Sequence, residues 1–79
     1  MGRLDQDQAR RVLAHNVRRL RLDRGLSQDE LATEADSRQA LVSSIEAGTA
    51  NPTLNSLFKI AAALGVEVGE LFARAPGHK

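Results

Sequence analysis

The stretch Leu26-Ser27-Gln28-Asp29-Glu30-Leu31-Ala32, followed after a short polar break by Leu41-Val42-Ser43-Ser44-Ile45-Glu46-Ala47-Gly48, decides how this chain folds. Ser27 stands three residues before Glu30, the spacing of a capping box, in which each side chain accepts the other residue's backbone N–H. A helix therefore starts at Gln28. Leu31, Ala32 and Ala35 recur at helical spacing, and the apolar set resumes at Leu41, Val42 and Ile45 until Gly48 stops it. Two short helices joined by a tight turn make a helix-turn-helix, an arrangement suited to placing its second helix in the major groove of DNA.

Upstream, Ala9, Leu13, Val17 and Leu20 form the inward stripe of a helix from about Gln6 to Arg24, capped by Asp5 or Asp7 and stopped by Gly25. Helix two covers about Gln28 to Ala35 and helix three about Gln39 to Ala47. Downstream, Gly48-Thr49-Ala50-Asn51-Pro52 is a loop, and Thr53 can cap a fourth helix. Leu54, Leu57, Phe58, Ile60, Ala61 and Leu64 give that helix the most apolar face of the chain before Gly65 ends it. A last short helix spans about Val68 to Phe72, and residues 73–79, with Pro76-Gly77, read as a frayed tail. β-Branched and aromatic residues are sparse and nowhere alternate with period two, so the expectation is an all-α, five-helix domain.

With 79 residues the chain is expected to be one domain, 1–79, whose helices share one small core over about 6–72. The absence of cysteine removes disulfides and thiolate metal sites and suits a reducing cytoplasm. No apolar run approaches the roughly 18 residues of a membrane span. The start, Met1-Gly2-Arg3-Leu4-Asp5-Gln6, holds no apolar segment for a signal peptide, and Gln6 stands where a myristoylation signal wants Ser or Thr. The net charge of +1 is not the strongly basic balance of an unselective nucleic-acid binder. Its distribution is uneven: Arg3, Arg10, Arg11, Arg18, Arg19, Arg21 and Arg24 precede the motif against Asp5, Asp7 and Asp23, whereas residues 27–70 are acidic. Attraction for phosphate must come mainly from helix one, Arg10 included, and from Arg38; a merely solvated arginine-rich face is the alternative.

In helix three, Leu41, Val42 and Ile45 point inward and leave Gln39, Ala40, Ser43, Ser44 and Ala47 outward, with Arg38 at the first turn. Small outward residues let a helix backbone sink into the major groove while the few longer ones reach base edges. Gln39 can pair with adenine through its amide, Arg38 can reach guanine or a phosphate, and Ala40 can touch a thymine methyl. An ordinary solvated face would look similar; the capped helix and tight turn before it favour the groove. Gln28 opens helix two, where free N–H groups and the positive dipole end suit a phosphate, although Asp29 beside it opposes one. Glu46 lies in the last turn of helix three, where the dipole disfavours its charge, and Arg21 is the best candidate for a bidentate partner. Catalysis finds no support: His15 and His78 are isolated, Ser43 and Ser44 lack a nearby base, and there is no metal-ligand cluster or glycine-rich phosphate loop. No cofactor is implied.

On these residues the chain resembles the Xre/Cro family of phage-repressor-like helix-turn-helix proteins over about Val12 to Phe72. Leu26 to Ala32, Ile45-Glu46-Ala47-Gly48, Asn51-Pro52, Leu54 to Val66 and Glu70-Leu71-Phe72 stand in the family's order and spacing. The resemblance implies a lambda-repressor-like domain, of the size of Cro-type repressors and stand-alone controller proteins. Such a domain would bind a near-palindromic operator as a homodimer, with helix three, about 38–47, in the major groove. It further implies Gln28 on a phosphate and bracing Gln39; Arg38, Gln39, Ala40 and Ser44 facing bases; Thr49 and Asn51 near the DNA backbone; and Arg21 paired with Glu46. Val68, Leu71 and Phe72 are candidates for the dimer contact, with closure of the core as an equal alternative. Three departures concern the start of helix three: Asp36 stands for a turn glycine, Ser37 for an apolar residue and Arg38 for a small capping residue, so the cap can shift to Ser37. Ala47 stands where the family often has a basic residue, which thins the phosphate contacts. The rival class is a protein-interaction module, an antitoxin or adaptor, which the acidic second half and near-neutral charge favour.

Overall fold

In a computed structural model that describes residues 4–74, three of the four α-helices begin at a side-chain cap. α1 (Gln6–Asp23) starts at Asp5, which forms a reciprocal capping box with Gln8. α2 (Gln28–Glu34) starts at Ser27, boxed with Glu30 as its spacing predicts, and α4 (Leu54–Leu64) starts at Thr53, whose hydroxyl accepts from the Ser56 N–H. α3 (Gln39–Glu46) differs. Arg38 takes the N-cap position in extended backbone and its side chain makes no capping bond, so the anticipated shift of the cap to Ser37 does not occur. Ser37 is already committed to the preceding turn, where its N–H closes on the Ala32 carbonyl.

All four α-helices stop in one way. A residue with positive φ reverses the chain, and the following N–H reaches back to a carbonyl of the last turn. Those bonds run from Leu26 to Arg21, Ser37 to Ala32, Thr49 to Ser44 and Val66 to Ala61. Gly25, Gly48 and Gly65 supply three of the reversals, and Asp36, at φ 51°, supplies the fourth. Aspartate tolerates this left-handed conformation better than most residues carrying a Cβ, though not without cost.

The fifth helical element is a 3-10 helix, Val68–Phe72, rather than an α-helix. Five residues are enough for the tighter winding and give an α-helix little more than one turn. Asn16, 4% exposed on α1, holds this element: its Nδ2 donates to the carbonyls of Leu71 at 2.9 Å and Ala73 at 2.8 Å. The core gathers Leu13 and Val17 of α1, Leu31, Ala32 and Ala35 around α2, Val42 and Ile45 of α3, and Leu57, Ile60, Ala61 and Leu64 of α4, closed by Leu71.

Two expectations are corrected. Leu71 is fully enclosed within the chain, so it closes the core and offers no surface to a dimer. Leu54 and Phe58 do not share the inward face of α4. They lie one turn apart outside it, 66% and 56% exposed, because Leu57, Ile60, Ala61 and Leu64 alone fill the side that meets α2 and the 3-10 helix. Residues 1–3 and 75–79, including Pro76 and Gly77 of the expected tail, lie outside the described residues. Among the described residues there is no strand, and no helix is long and apolar enough to cross a membrane.

Candidate nucleic-acid interface

α3 packs against both α1 and α2, which buries Val42 and Ile45 and leaves Gln39, Ala40 and Ala47 exposed. Ser43 and Ser44 are half-buried, and the Ser44 hydroxyl donates to the Leu41 carbonyl at 3.0 Å. Ser44 thus turns its donor to its own helix and keeps only lone pairs for a base.

A line of polar contacts runs behind this face. Arg21 on α1 and Glu46 at the end of α3 form a buried bidentate pair, Nε to Oε2 at 2.6 Å and Nη2 to Oε1 at 2.9 Å. The third arm of the guanidinium, Nη1, donates to the Leu26 carbonyl at 2.8 Å and so fixes the approach to α2. Glu46 Oε1 also accepts from Gln28 Nε2 at 3.1 Å, and Gln28 Oε1 accepts from Gln39 Nε2 at 2.9 Å. Three helices are thereby tied to the first residue of α3. Burial pushes the Glu46 carboxyl up, but the bonds from Arg21 and Gln28 and the charges of Arg21 and Arg18 outweigh it and hold the group below the ordinary carboxylate range. The bond to Glu46 raises the Arg21 guanidinium further against the opposing effect of burial.

At the start of α2 the capping box occupies the N–H groups of Ser27 and Glu30. Those of Gln28 and Asp29 remain as open helix-terminal donors. The Asp29 side chain is exposed on the same turn. Arg38 is exposed at the front of α3. Thr49 Oγ1 makes a long 3.3 Å bond to the Ser44 carbonyl, and Asn51 is exposed in the following loop. Arg10 and Asn51 come together on one shallow groove with Leu13, Pro52 and Phe72, but Arg10 is held by Asp7 at 2.9 Å, which reduces the charge it can offer.

Three further arginines of the amino-terminal half are engaged within the protein. Arg19 pairs with Asp23 at 3.6 Å, Arg24 donates to the Ala63 carbonyl at the end of α4, and Arg21 is paired as described. Val68 and Phe72 keep part of their surface. Among the described residues no group of three His, Cys, Asp or Glu could hold a metal ion. Sequence reading missed Asn16, since an apolar stripe counts only apolar residues, and the side chain gives no local signal of its distant partners.

A boxed helix, a tight left-handed turn and a second helix whose exposed front carries a braced amide define a helix-turn-helix DNA-binding domain. The chain belongs to the helix-turn-helix family, which it matches over residues 17–71. It is 40% identical over 62 residues to an uncharacterized HTH-type transcriptional regulator of Sinorhizobium fredii, covering 78% of this chain and 80% of the relative. Its fold superposes on the hypothetical transcription factor NHTF from Neisseria with a TM-score of 0.81 and 37% identity, over 92% of this chain and 84% of the other. It is similar also to the restriction-modification controller protein C.AhdI from Aeromonas hydrophila, with a TM-score of 0.76 and 35% identity, over 80% and 96% of the two chains.

Proposed function

We propose that this helix-turn-helix transcriptional regulator acts in the cytoplasm by binding a near-palindromic operator as a homodimer, with α3 in the major groove of each half-site. The observation that carries the proposal is the Gln28–Gln39 hydrogen bond, which holds one long amide at the front of a helix whose other outward residues, Ala40, Ser43 and Ala47, are small. Gln39 reaches a base edge, Ala40 and Ser43 allow close approach, and Ser44 accepts from a neighbouring base. Arg38 reaches guanine or a phosphate. Gln28 and the open N–H groups at the start of α2 meet a phosphate, and Thr49, Asn51 and Arg10 follow the DNA backbone beside it. Two such helices would enter half-sites about one turn, roughly 34 Å, apart. Val68 and Phe72, joined by the exposed Leu54 and Phe58, supply the apolar surface on which a second copy is seated.

Selection of bound fragments from a random duplex library, followed by affinity measurements at two salt concentrations, tests this function. The expected result is an inverted repeat preferred about a thousandfold or more over a scrambled duplex, with affinity falling steeply as salt rises. Weak, unselective binding would overturn it and favour a module whose main partner is another protein, the role that the acidic second half of the chain fits.

A further inference from the structure

We infer that Glu46, which lies behind α3 and touches no base, sets which base Gln39 selects, by fixing the polarity of the hydrogen bonds between them. This rests on α3 being the groove-reading helix. An ionised carboxylate can only accept hydrogen bonds. Glu46 receives Arg21 Nε on Oε2 and both Arg21 Nη2 and Gln28 Nε2 on Oε1. Gln28 must therefore turn its NH2 toward Glu46 and its carbonyl oxygen toward Gln39. That oxygen is an acceptor, so Gln39 must meet it with its own NH2, as it does at 2.9 Å.

One hydrogen of Gln39 Nε2 is thereby used, and Oε1 and the second N–H remain for the DNA. One acceptor beside one donor complements adenine, which presents N6–H2 and N7 in the major groove. Guanine presents two acceptors, N7 and O6, and calls for two donors. To supply them Gln39 would have to turn over, which breaks its bond to Gln28 and sets two carbonyl oxygens against each other. The buried carboxylate is the origin of this order, since each amide alone could adopt either orientation. Glu46 is in this sense a positioning residue for specificity, separate from its part in the ion pair.

The test begins with the operator position whose preference disappears in Gln39→Ala. Affinities for duplexes carrying adenine or guanine at that position are compared for the wild type, Gln28→Met and Glu46→Gln. The wild type is expected to favour adenine by about tenfold or more, the weight of one lost and one opposed hydrogen bond. Gln28→Met leaves the Arg21–Glu46 pair in place and removes the link. Binding to both duplexes should fall together as a phosphate contact is lost, while the ratio between them moves to within about threefold of unity. The amide introduced by Glu46→Gln can donate, so Gln28 and then Gln39 can turn over, and the preference should move toward guanine. If that variant loses its fold by circular dichroism, the Gln28→Met ratio decides alone. An adenine preference that survives Gln28→Met, or a wild type that selects guanine at this position, would overturn the inference. A wild type that enriches no sequence would instead remove the DNA-reading function on which it stands.

Discussion

Gln39 and Arg21 carry different consequences although one line of hydrogen bonds joins them. Gln39 is exposed and contributes nothing to the core, so Gln39→Ala should leave thermal unfolding unchanged and weaken operator binding by about 1–3 kcal/mol while sparing nonspecific binding. Equal losses on both duplexes would place Gln39 away from the bases. Arg21→Ala would leave the Glu46 carboxylate buried without its ion, and should cost about 3–5 kcal/mol in urea unfolding at neutral pH. Because the folded-state pKa of Glu46 is depressed, its contribution is complete above the ordinary glutamate range, about pH 4.3, and is lost as pH falls through the lower folded value. The stability advantage of the wild type over Glu46→Gln should therefore shrink as pH falls below the ordinary glutamate value of about 4.3, and a difference that stays constant on acidification would deny the pair its charge. The need of Glu46 for a partner was legible from its place at a helix end. That Gln28 joins the same carboxylate was not, because the contact crosses 18 positions and depends on how α2 meets α3.

Among the elements, those defined by local chemistry were the legible ones. Ser27 with Glu30, Thr53, and the stops at Gly25, Gly48 and Gly65 all act over three or four residues, and the helix boundaries follow from them. The two faces of α4 were less legible: Leu54 and Phe58 are as apolar as Leu57 and Ile60, and only the placement of α2 and the 3-10 helix decides which of them are covered. The turn between α2 and α3 has its own energetic consequence. Asp36 holds φ at 51° where glycine would sit without strain, and its exposed carboxylate comes no nearer than 4.0 Å to the ammonium of the half-buried Lys59. Asp36→Gly should accordingly stabilise the protein by about 0.5–1 kcal/mol, measured as a rise in the urea midpoint with an unchanged slope. A fall in the midpoint would mean that the aspartate contributes more through its contacts than its backbone costs.

For the molecule as a whole, the surface left apolar matters more than the core. Leu54 and Phe58 form an exposed pair on α4, and Phe58→Lys should leave the monomer folded while shifting the monomer–dimer equilibrium toward monomer by at least about tenfold in sedimentation. Operator affinity should then depend more steeply on protein concentration, and an unaltered equilibrium would place the two-fold contact elsewhere. Asn16 and Leu71 point to a different property of the same small body. The side chain that completes the core and the carbonyls that satisfy Asn16 belong to residues 71 and 73, whereas Asn16 itself is made 55 residues before Leu71. A nascent chain still missing those residues has neither its final buried leucine nor a partner for its buried amide. Closure of the domain core therefore waits until residues 71–73 have cleared the ribosome, and the domain completes its folding only after their synthesis.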